Sequence, residues 1–366
     1  EGTSSMSKRI AISTGGGDAP GLNAVIRATV LSALNRGWEV YGIRKGYGGL
    51  LGEDEIVPLD RESVRGITHL GGTILGTTNR GNPFEWPVEG EDGTVHVVDR
   101  SDEVIEGFHR HELDCLVAIG GDGSLAIANR LSQQGLPVGG VPKTIDNDLP
   151  ATQVTFGFHT AVQTASDAID KLHSTAQSHE RVMVVELMGR HTGWIALFAG
   201  VSATADVILI PEIPYRIDKV CEKVRERDAS GRLFSIVVVA EGARPVEGDT
   251  ELAEEARPGK AARYGGIAER VAGEIAERTG KETRSLVLGH LQRGGSPIAY
   301  DRLIALRFGA AAVRCVADEA YGTMVALDPP EVLAVPLEEA TRRTKAVPPD
   351  SDVVITARDL GISFGD

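Results

Sequence analysis

The chain has few cysteines, few aromatic residues and a deficit of positive charge. Its 366 residues include 3 cysteines, and phenylalanine, tryptophan and tyrosine together make up 5%. Because Cys115, Cys221 and Cys315 form no CxxC pair and no disulfide framework, a reducing cytoplasm is the expected location. The formal charge is −14, which argues against a general nucleic-acid or anionic-membrane binder. Any cluster of positive side chains is therefore expected to serve a specific purpose.

Long apolar runs are also missing. No run reaches the roughly 18 residues that a transmembrane helix needs. The first ten residues, EGTSSMSKRI, contain no apolar core of a signal peptide. Residues 1–5 precede Met6 and are expected to be an added leader. With about 150 residues per domain as a guide, the remaining length predicts two or three domains.

Glycine, by contrast, is abundant, with 44 residues, and glycine turns follow several short apolar runs. Strands are predicted at 9–14, 113–119, 137–141, 181–187, 207–211, 233–240 and 284–289. Helices are predicted at 20–34, 124–133, 158–175, 192–205, 263–279 and 300–318. Such alternation predicts an α/β fold with parallel strands, helices on both faces, and ligands beyond the carboxyl ends of the strands. The stretches 85–103 and 242–262 are predicted to be loops.

Two glycine turns stand where a predicted strand meets a helix: GGGDAPGLN at 15–23 and GGDGS at 120–124. Backbone N–H groups at such a point can cradle phosphate, and glycine lets the phosphate approach. Asp122 adds a carboxylate of the kind that Mg²⁺ prefers. An isolated GGDG is explained equally well by the shape of a turn. Two such turns at neighbouring strand ends favour one polyphosphate spanning both.

The segment PKTIDND at 142–148 is a more specific sign of a catalytic site than the glycine turns. Asp146 and Asp148 follow a strand at a spacing of two, with Lys143 three residues before the first. One carboxylate can take a proton from an attacking hydroxyl while the lysine offsets charge on a transferring phosphoryl group. The alternative is an Asx turn with solvated acids. The position directly after a core strand favours the catalytic interpretation.

Several basic residues lie next to glycine or histidine in the second half of the chain. In a chain with this net charge they are candidates for binding a second anion, such as a sugar phosphate. They are Arg181, Arg190, Arg284, His290 and Arg293. Glu241, at the end of a predicted strand, can accept hydrogen bonds from sugar hydroxyls. Each residue alone is explained as well by a surface position or a salt bridge, so the argument depends on the whole set.

In their order and spacing, these motifs resemble the bacterial type of 6-phosphofructokinase, a family with ATP-dependent and pyrophosphate-dependent members. The motifs are GGGDAPGLN, GGTILGTTN, GGDGS, PKTIDND, ELMGR, AEGA and GHLQRGGSP. The closing ARDLGISFGD is similar to the actinobacterial mixed-substrate subgroup. The resemblance implies two Rossmann-like three-layer domains with the active site in the cleft between them. The larger, donor-binding domain would comprise 6–157 and 292–345, and the smaller, sugar-phosphate-binding domain 158–291 and 346–366.

The resemblance also implies an activity: transfer of the terminal phosphoryl group of ATP to the 1-hydroxyl of fructose 6-phosphate, with Mg²⁺, in the cytoplasm. Asp146 would be the base, assisted by Lys143, Thr144, Asp148 and Arg190. The donor and its metal would be bound by Gly17, Tyr47, Arg80, Gly121, Asp122, Gly123 and Ser124, with Asp122 holding the metal. The sugar phosphate would be bound by Thr144, Asp146, Met188, Gly189, Arg190, Glu241, His290 and Arg293. Arg181 and Arg284 would reach the site of a neighbouring subunit in a homodimer or homotetramer. No nucleic-acid or membrane partner is expected.

The choice of donor depends on a few positions. Pyrophosphate-dependent members typically carry aspartate where Gly123 stands and lysine where Lys143 stands. Glycine at 123 leaves room for the α-phosphate of ATP, so ATP is the predicted donor, whereas Ile127 narrows the expected adenosine pocket. Asn79 takes the place of a donor-binding arginine, with Arg80 one step later. Leu31 and His173 occupy positions that hold basic, effector-binding residues in allosteric members of the family. This argues against allosteric control of that type in this chain.

Three alternatives stay open at this stage. They are a pyrophosphate donor, sedoheptulose 7-phosphate as the acceptor, and a non-catalytic sugar-phosphate-binding subunit. The last is expected to lose Asp122 or Asp146, and this chain has both. A lipid or NAD kinase would share the GGDG turn, but it would lack the TIDND, MGR and HLQRGG motifs.

Overall fold

The chain folds into an α/β architecture built around two separate, mainly parallel sheets. The computed structural model describes residues 7–53, 55–78, 81–90, 93–247, 252–254 and 263–366. The strands in these ranges are β1 Arg9–Thr14, β2 Glu39–Ile43, β3 Ile56–Pro58, β4 Trp86–Glu89, β5 Val95–Val98, β6 Cys115–Gly120, β7 Val138–Pro142, β8 Val182–Leu187, β9 Val207–Leu209, β10 Ser235–Ala240, β11 Leu252–Glu254, β12 Arg263–Tyr264, β13 Thr283–Val287, β14 Thr323–Asp328 and β15 Glu331–Pro336. The helices are α1 Leu22–Leu34, α2 Ser101–Arg110, α3 Asp122–Gln133, α4 Phe158–His179, α5 Trp194–Ser202, α6 Ile217–Ala229, α7 Ile267–Thr279, α8 Ala299–Ala317, α9 Leu337–Thr341 and α10 Asp352–Asp359.

The larger sheet has seven strands in the order β15-β14-β7-β6-β1-β2-β3. The strands from β14 to β2 run parallel, and β15 and β3 close the two edges as antiparallel strands. Every residue of β6 and β7 is buried, as expected for parallel strands covered by helices on both faces. This order brings the carboxyl ends of β7, β6 and β1 side by side at one edge.

The smaller sheet has four parallel strands in the order β13-β8-β10-β9. Its central strands β8 and β10 are buried along their whole length. One apolar cluster contains Ile10 and Ile12 of the larger sheet together with Val185 and Val238 of the smaller one. The two sheets therefore belong to lobes that pack on each other, and the α/β prediction is confirmed.

Most predicted elements are present with shifted ends. Helix α3 begins at Asp122, two residues earlier than predicted, and α4 continues to His179. The prediction of a loop at 85–103 is wrong, because β4 and β5 pair there as an antiparallel hairpin and α2 begins at Ser101. The side chains of β5 are all exposed, so the hairpin has no buried face to produce the apolar alternation by which strands are recognised.

The second predicted loop, 242–262, lies partly outside the described residues. Its described part includes strand β11, which pairs with β12. Within the ranges that the structure covers, none of the helices has the length and apolar character that a membrane span requires.

Candidate active site

Three turns that follow neighbouring parallel strands meet at one edge of the larger sheet. The backbone N–H of Gly15, after β1, donates to the Ile119 carbonyl over 3.0 Å. The N–H of Lys143, after β7, donates to the Gly120 carbonyl over 2.8 Å. The Lys143 ammonium in turn donates to the carbonyl oxygen of Gly17. The two glycine motifs and the PKTIDND motif, far apart in sequence, therefore form one continuous surface, where α/β sheets bind ligands.

Two glycines of these turns lie close to other side chains. A Cβ on Gly15 would lie 2.8 Å from Oγ of Ser124, and one on Gly17 would lie 2.7 Å from Nη1 of Arg293. Gly123 differs, because a Cβ there would meet no described atom within 4 Å. Gly123 is exposed and faces open space. Its glycine is not required by packing, which leaves room for a ligand at this position.

Helix α3 begins directly above this space. No side chain among the described residues caps its N-terminus, and Asp122 lies in its first turn. The first N–H groups of a helix have no partner inside the helix, and their dipoles favour an anion. The turn from Gly121 to Ser124 is therefore suited to binding an anion, with one carboxylate beside it. The prediction that this turn binds an anion fits the local geometry.

The PKTIDND turn buries its two carboxylates. Asp146 is 3% exposed and Asp148 is 4% exposed. The Asp146 N–H donates to Oγ1 of Thr144 over 3.0 Å, and Oγ1 of Thr192 donates to the Asp146 carbonyl over 3.3 Å. Oδ1 of each carboxylate is buried and has no hydrogen-bond partner among the described residues. Buried polar atoms are normally paired, so these two oxygens are available to a ligand.

The buried ionisable groups of this turn have shifted pKa values. Burial raises the pKa of Asp146. Burial, together with the nearby Asp146 and Asp122 carboxylates, raises the pKa of Asp148 to about 7. Burial and the neighbouring Arg293 lower the pKa of Lys143 to about 8. A carboxylate with a raised pKa is a stronger base than a solvated one. The turn therefore holds groups suited to proton transfer near neutral pH.

The smaller sheet supplies the opposite side of the site. Met188, Gly189 and Arg190 follow β8, and Glu241 follows β10. Oε1 of Glu241 accepts hydrogen bonds from the N–H groups of Gly189 at 3.2 Å and Arg190 at 2.8 Å. Arg190 has a φ of 51°, an uncommon conformation for a non-glycine residue that is often found at functional sites. Its guanidinium reaches Asp122 across the cleft at 3.3 Å.

Arg293 and His290 come from a short 3₁₀ helix, Gly289–Gln292, and the residue after it. Nη1 of Arg293 donates to the carbonyl of Asp18 over 3.1 Å, which places this side chain against the first glycine turn. His290 is exposed in the same turn. Gln292 is fully buried and accepts a hydrogen bond from the Met188 N–H at 3.3 Å. The segment that follows β13 is thereby joined to the segment that follows β8.

Arg181 and Arg284 lie elsewhere in this chain. Arg181 directly precedes β8, and Arg284 is the second residue of β13. Both pair with Glu282, at 3.1 Å and 2.7 Å respectively. Because a strand rises about 3.3 Å per residue, the seven residues from Arg181 to Met188 span roughly 23 Å. The structure brings these two arginines together at the far edge of the smaller sheet, away from the other site residues of the same chain.

The predicted donor contact Tyr47 is buried. Tyr47 is 6% exposed and packs in an apolar cluster with Leu50 and Phe84. Burial raises the pKa of its phenol above the ordinary range. Little of its surface is available to a nucleotide in this conformation. Arg80, like Asn79, lies outside the described residues.

Sequence reasoning missed several residues near the site. His191 follows Arg190, and its Nδ1 lies 2.8 Å from the Tyr264 hydroxyl, which forms part of the rim beside Arg190. Asp18 follows the first glycine turn, so its place in that motif was an available signal. Lys345 contacts the PKTIDND turn from the C-terminal part of the chain, and no local pattern marks it. Among the described residues, no three His, Cys, Asp or Glu side chains converge as a complete metal site.

Comparison with known proteins agrees with this arrangement. The phosphofructokinase family pattern matches residues 9–316, and this chain belongs to that family. It is 52% identical over 362 residues to the ATP-dependent 6-phosphofructokinase of Chloroflexus aggregans, covering 99% of each chain. It is 50% identical over 348 residues to the pyrophosphate–fructose 6-phosphate 1-phosphotransferase of Amycolatopsis methanolica, covering 93% of this chain and 97% of the other.

A similar fold is known from a crystal structure of Pichia pastoris phosphofructokinase, with a TM-score of 0.77 and 32% identity. The match covers 92% of this chain and 35% of the yeast chain. This chain therefore spans about a third of the length of that yeast protein. The resemblance inferred from the motifs is confirmed.

Proposed function

We propose that this protein transfers the terminal phosphoryl group of ATP to the 1-hydroxyl of fructose 6-phosphate, giving fructose 1,6-bisphosphate and ADP. The name of its Chloroflexus aggregans relative, 52% identical over almost the whole of both chains, supports this activity. The structural observation that carries the proposal is Asp146, a buried carboxylate with an oxygen unpartnered among the described residues, close to the cationic side chains of Lys143, Arg190 and Arg293. Such a group is equipped to take a proton from a hydroxyl.

In this reaction Asp146 accepts the proton of the attacking hydroxyl. Thr144 fixes the start of the turn through its hydrogen bond from the Asp146 N–H. Lys143 and Arg190 face the same space from opposite sides and offset the charge of the transferring phosphoryl group. Preorganised charges of this kind supply much of the rate in phosphoryl transfer. Asp148 orients the hydroxyl and the donor relative to the base.

The donor phosphates are bound at the N-terminus of α3 and against Gly17. The open space at Gly123 admits the α-phosphate of ATP. Mg²⁺ is usually held by one or two carboxylates together with substrate phosphates, and when bound it offsets the charge of the donor. Asp122, whose side chain is 54% exposed, fits that mode of binding. The unused Oδ1 of Asp148 gives the site a second oxygen ligand.

The sugar phosphate is bound on the other side of the cleft. Met188, Gly189 and Glu241 contact the sugar, while His290 and Arg293 bind its 6-phosphate. Burial raises the pKa of Glu241, and its Oε1 is already held by two backbone N–H groups. The second oxygen is left for a sugar hydroxyl. The larger lobe (6–157 and 292–345) is then the donor domain, and the smaller (158–291 and 346–366) the sugar-phosphate domain.

Arg181 and Arg284 complete the site of a neighbouring subunit, so the active form is a homodimer or homotetramer. Their distance from Asp146 within one chain supports this assignment. The exposed apolar side chains around β13 support it too, since Val287 is 57% and Leu291 68% exposed. Apolar surface of this kind is typical of subunit contacts. The cytoplasmic location stays a prediction.

A pyrophosphate donor is the second candidate. The Amycolatopsis methanolica relative, at 50% identity, carries that activity in its name. Lys143 points into the glycine turn and offsets the charge of either donor. Sedoheptulose 7-phosphate is a further acceptor to test, since the residues assigned to the phosphate suit both sugars.

A coupled assay of the purified protein tests these assignments. ATP and pyrophosphate are compared as donors with fructose 6-phosphate and sedoheptulose 7-phosphate as acceptors, with and without Mg²⁺. We expect the highest kcat/KM for ATP with fructose 6-phosphate, and activity only with Mg²⁺. A higher kcat/KM with pyrophosphate would replace ATP as the donor. No transfer in any combination would contradict the catalytic role of the site.

A further inference from the structure

Lys345 lies in the segment between α9 and α10 and contacts the back of the PKTIDND turn. Its Nζ lies 3.1 Å from Oδ1 of Asn147 and 3.0 Å from each of the carbonyl oxygens of Thr152 and Gln153. Its backbone N–H donates to the carbonyl of Asp148 over 2.7 Å. One residue therefore makes four hydrogen bonds to residues 147–153.

The same residue is anchored on its other side to the smaller lobe. Nε1 of Trp194, the first residue of α5, donates to the Lys345 carbonyl over 2.7 Å. The Lys345 ammonium lies 5.7 Å from the centroid of the Trp194 ring. Two residues later, the Val347 N–H donates to Oε1 of Glu212 over 2.9 Å. Glu212 also accepts from the N–H of Gly193. The segment thus connects the catalytic turn to the start of α5.

The PKTIDND turn needs stabilising contacts on the side facing away from the cleft. Asn147, between the two aspartates, has a φ of 53°. Such strained conformations persist only where the surroundings hold them. Burial of the Asp146 and Asp148 carboxylates within three residues adds repulsion to that strain. The half-buried ammonium of Lys345 donates to Asn147 and lies close enough to Asp148 to attract its carboxylate. Its hydrogen bonds therefore oppose both the strain and the repulsion.

We propose that Lys345 is a positioning residue for phosphoryl transfer: through Asn147 and the carbonyls of 148, 152 and 153 it holds Asp146 in its productive place. This inference rests on the proposed function. Lys345 is separated from Asp146 by Asn147, so its effect on the reaction is indirect. The rate of the chemical step should depend on it more than substrate affinity does.

The test compares Lys345→Met with Lys345→Arg, since arginine keeps the charge and several donors. Misplacing a catalytic group by about 1 Å costs roughly 10²-fold in rate. We expect Lys345→Met to lower kcat by about that factor, with KM for both substrates within about threefold of wild type. Lys345→Arg should recover part of the loss. Arg343→Met is the matched control, because it removes the same charge from an exposed position two residues away and should retain wild-type kcat.

Two further measurements separate positioning from a loss of folding. In the Asp146→Asn background, Lys345→Met should lower kcat no further, since no base remains to be positioned. Asn147→Gly removes the same hydrogen bond from its other end, and glycine tolerates the positive φ. Its kcat should fall, and the double variant with Lys345→Met should lose less than the product of the single losses.

The outcomes are distinct. If the wild-type protein transfers no phosphoryl group to fructose 6-phosphate, both the proposed function and this inference are wrong. Active wild type with a Lys345→Met kcat within threefold of it would overturn the role of Lys345 alone. An equal further loss in the Asp146→Asn background, or a KM that rises while kcat holds, would also overturn it.

Discussion

The Arg190 guanidinium lies 3.3 Å from the Asp122 carboxylate, so an arginine after β8 of the smaller sheet meets the first turn of α3 in the larger one. The two side chains are 35% and 54% exposed, and such pairs contribute at most about 1 kcal/mol to stability. They therefore separate at little cost when ligands enter. Under the proposed function, Asp122 would then be free to bind the metal and Arg190 to bind the transferring phosphoryl group. The pair marks the point where the two lobes close the cleft.

Replacing Asp146 by asparagine tests the assignment of the base. The amide keeps the shape of the side chain but cannot accept the proton, and loss of a general base commonly costs about 10² to 10⁴ in rate. We expect kcat to fall by that range while the Kd of fructose 6-phosphate, measured by calorimetry, stays within a few-fold of wild type. A kcat within a few-fold of wild type would remove Asp146 from this role.

Asp148 predicts a pH dependence of stability. Burial, with Asp146 and Asp122, raises its pKa to about 7, against about 3.9 in the unfolded chain. The folded chain thus binds a proton between these values that the unfolded chain has lost. Below about pH 4 both states bind this proton, so Asp148 does not reduce the free energy of unfolding. As pH rises from there toward about 7, the free energy of unfolding falls. Asp148→Asn should therefore stabilise the protein increasingly up to pH 7, by on the order of 4 kcal/mol.

The measurement is the midpoint of thermal unfolding at pH 5, 6, 7 and 8, without nucleotide, sugar phosphate or divalent cation. The control is Asp350→Asn, which removes a carboxylate from an exposed position and should follow the wild-type curve. A stabilisation by Asp148→Asn that does not grow with pH would show that the folded chain carries this carboxylate without a desolvation cost.

Subunit exchange tests the roles of Arg181 and Arg284. If Arg284 serves the neighbouring site, a mixed dimer of Asp146→Asn and Arg284→Ala subunits contains one intact site. That site has its own Asp146 and receives Arg284 from the other subunit. Each variant alone should be nearly inactive, and random remixing should restore about a quarter of wild-type activity. The activity of remixed subunits is the readout, with each variant remixed with itself as the control. No recovery would mean that Arg284 does not complete the neighbouring site.

The parts of this site that sequence could predict are those carried by local motifs at strand ends. Gly17, Asp122 and Asp146 come together because parallel order places the ends of β1, β6 and β7 side by side. Packing decides the rest. The resemblance implies a donor contact for Tyr47, yet it is buried among apolar side chains. Lys345 is 198 positions from Asn147, and only the folded chain shows that they touch. The exposed hairpin of β4 and β5 gave no periodic signal.

The choice of donor gives the sharpest prediction. A Cβ at position 123 would meet no described atom within 4 Å, so Gly123→Asp should fold normally and place a carboxylate in the space left for the α-phosphate of ATP. Like charges about 4 Å apart repel by roughly 4 kcal/mol at an effective dielectric constant of 20. Pyrophosphate has no counterpart of the α-phosphate to repel, and Lys143 is already in place to offset its charge. We expect wild type to prefer ATP and Gly123→Asp to shift the ratio of kcat/KM for the two donors toward pyrophosphate, even at a lower absolute rate.

Gly123→Ala adds a side chain without charge and should keep the wild-type ratio. A wild type that prefers pyrophosphate, or an aspartate variant whose ratio does not move, would show that position 123 does not set the donor. Ile127, in the second turn of α3, would then be the next position to test, because its side chain narrows the expected adenosine pocket.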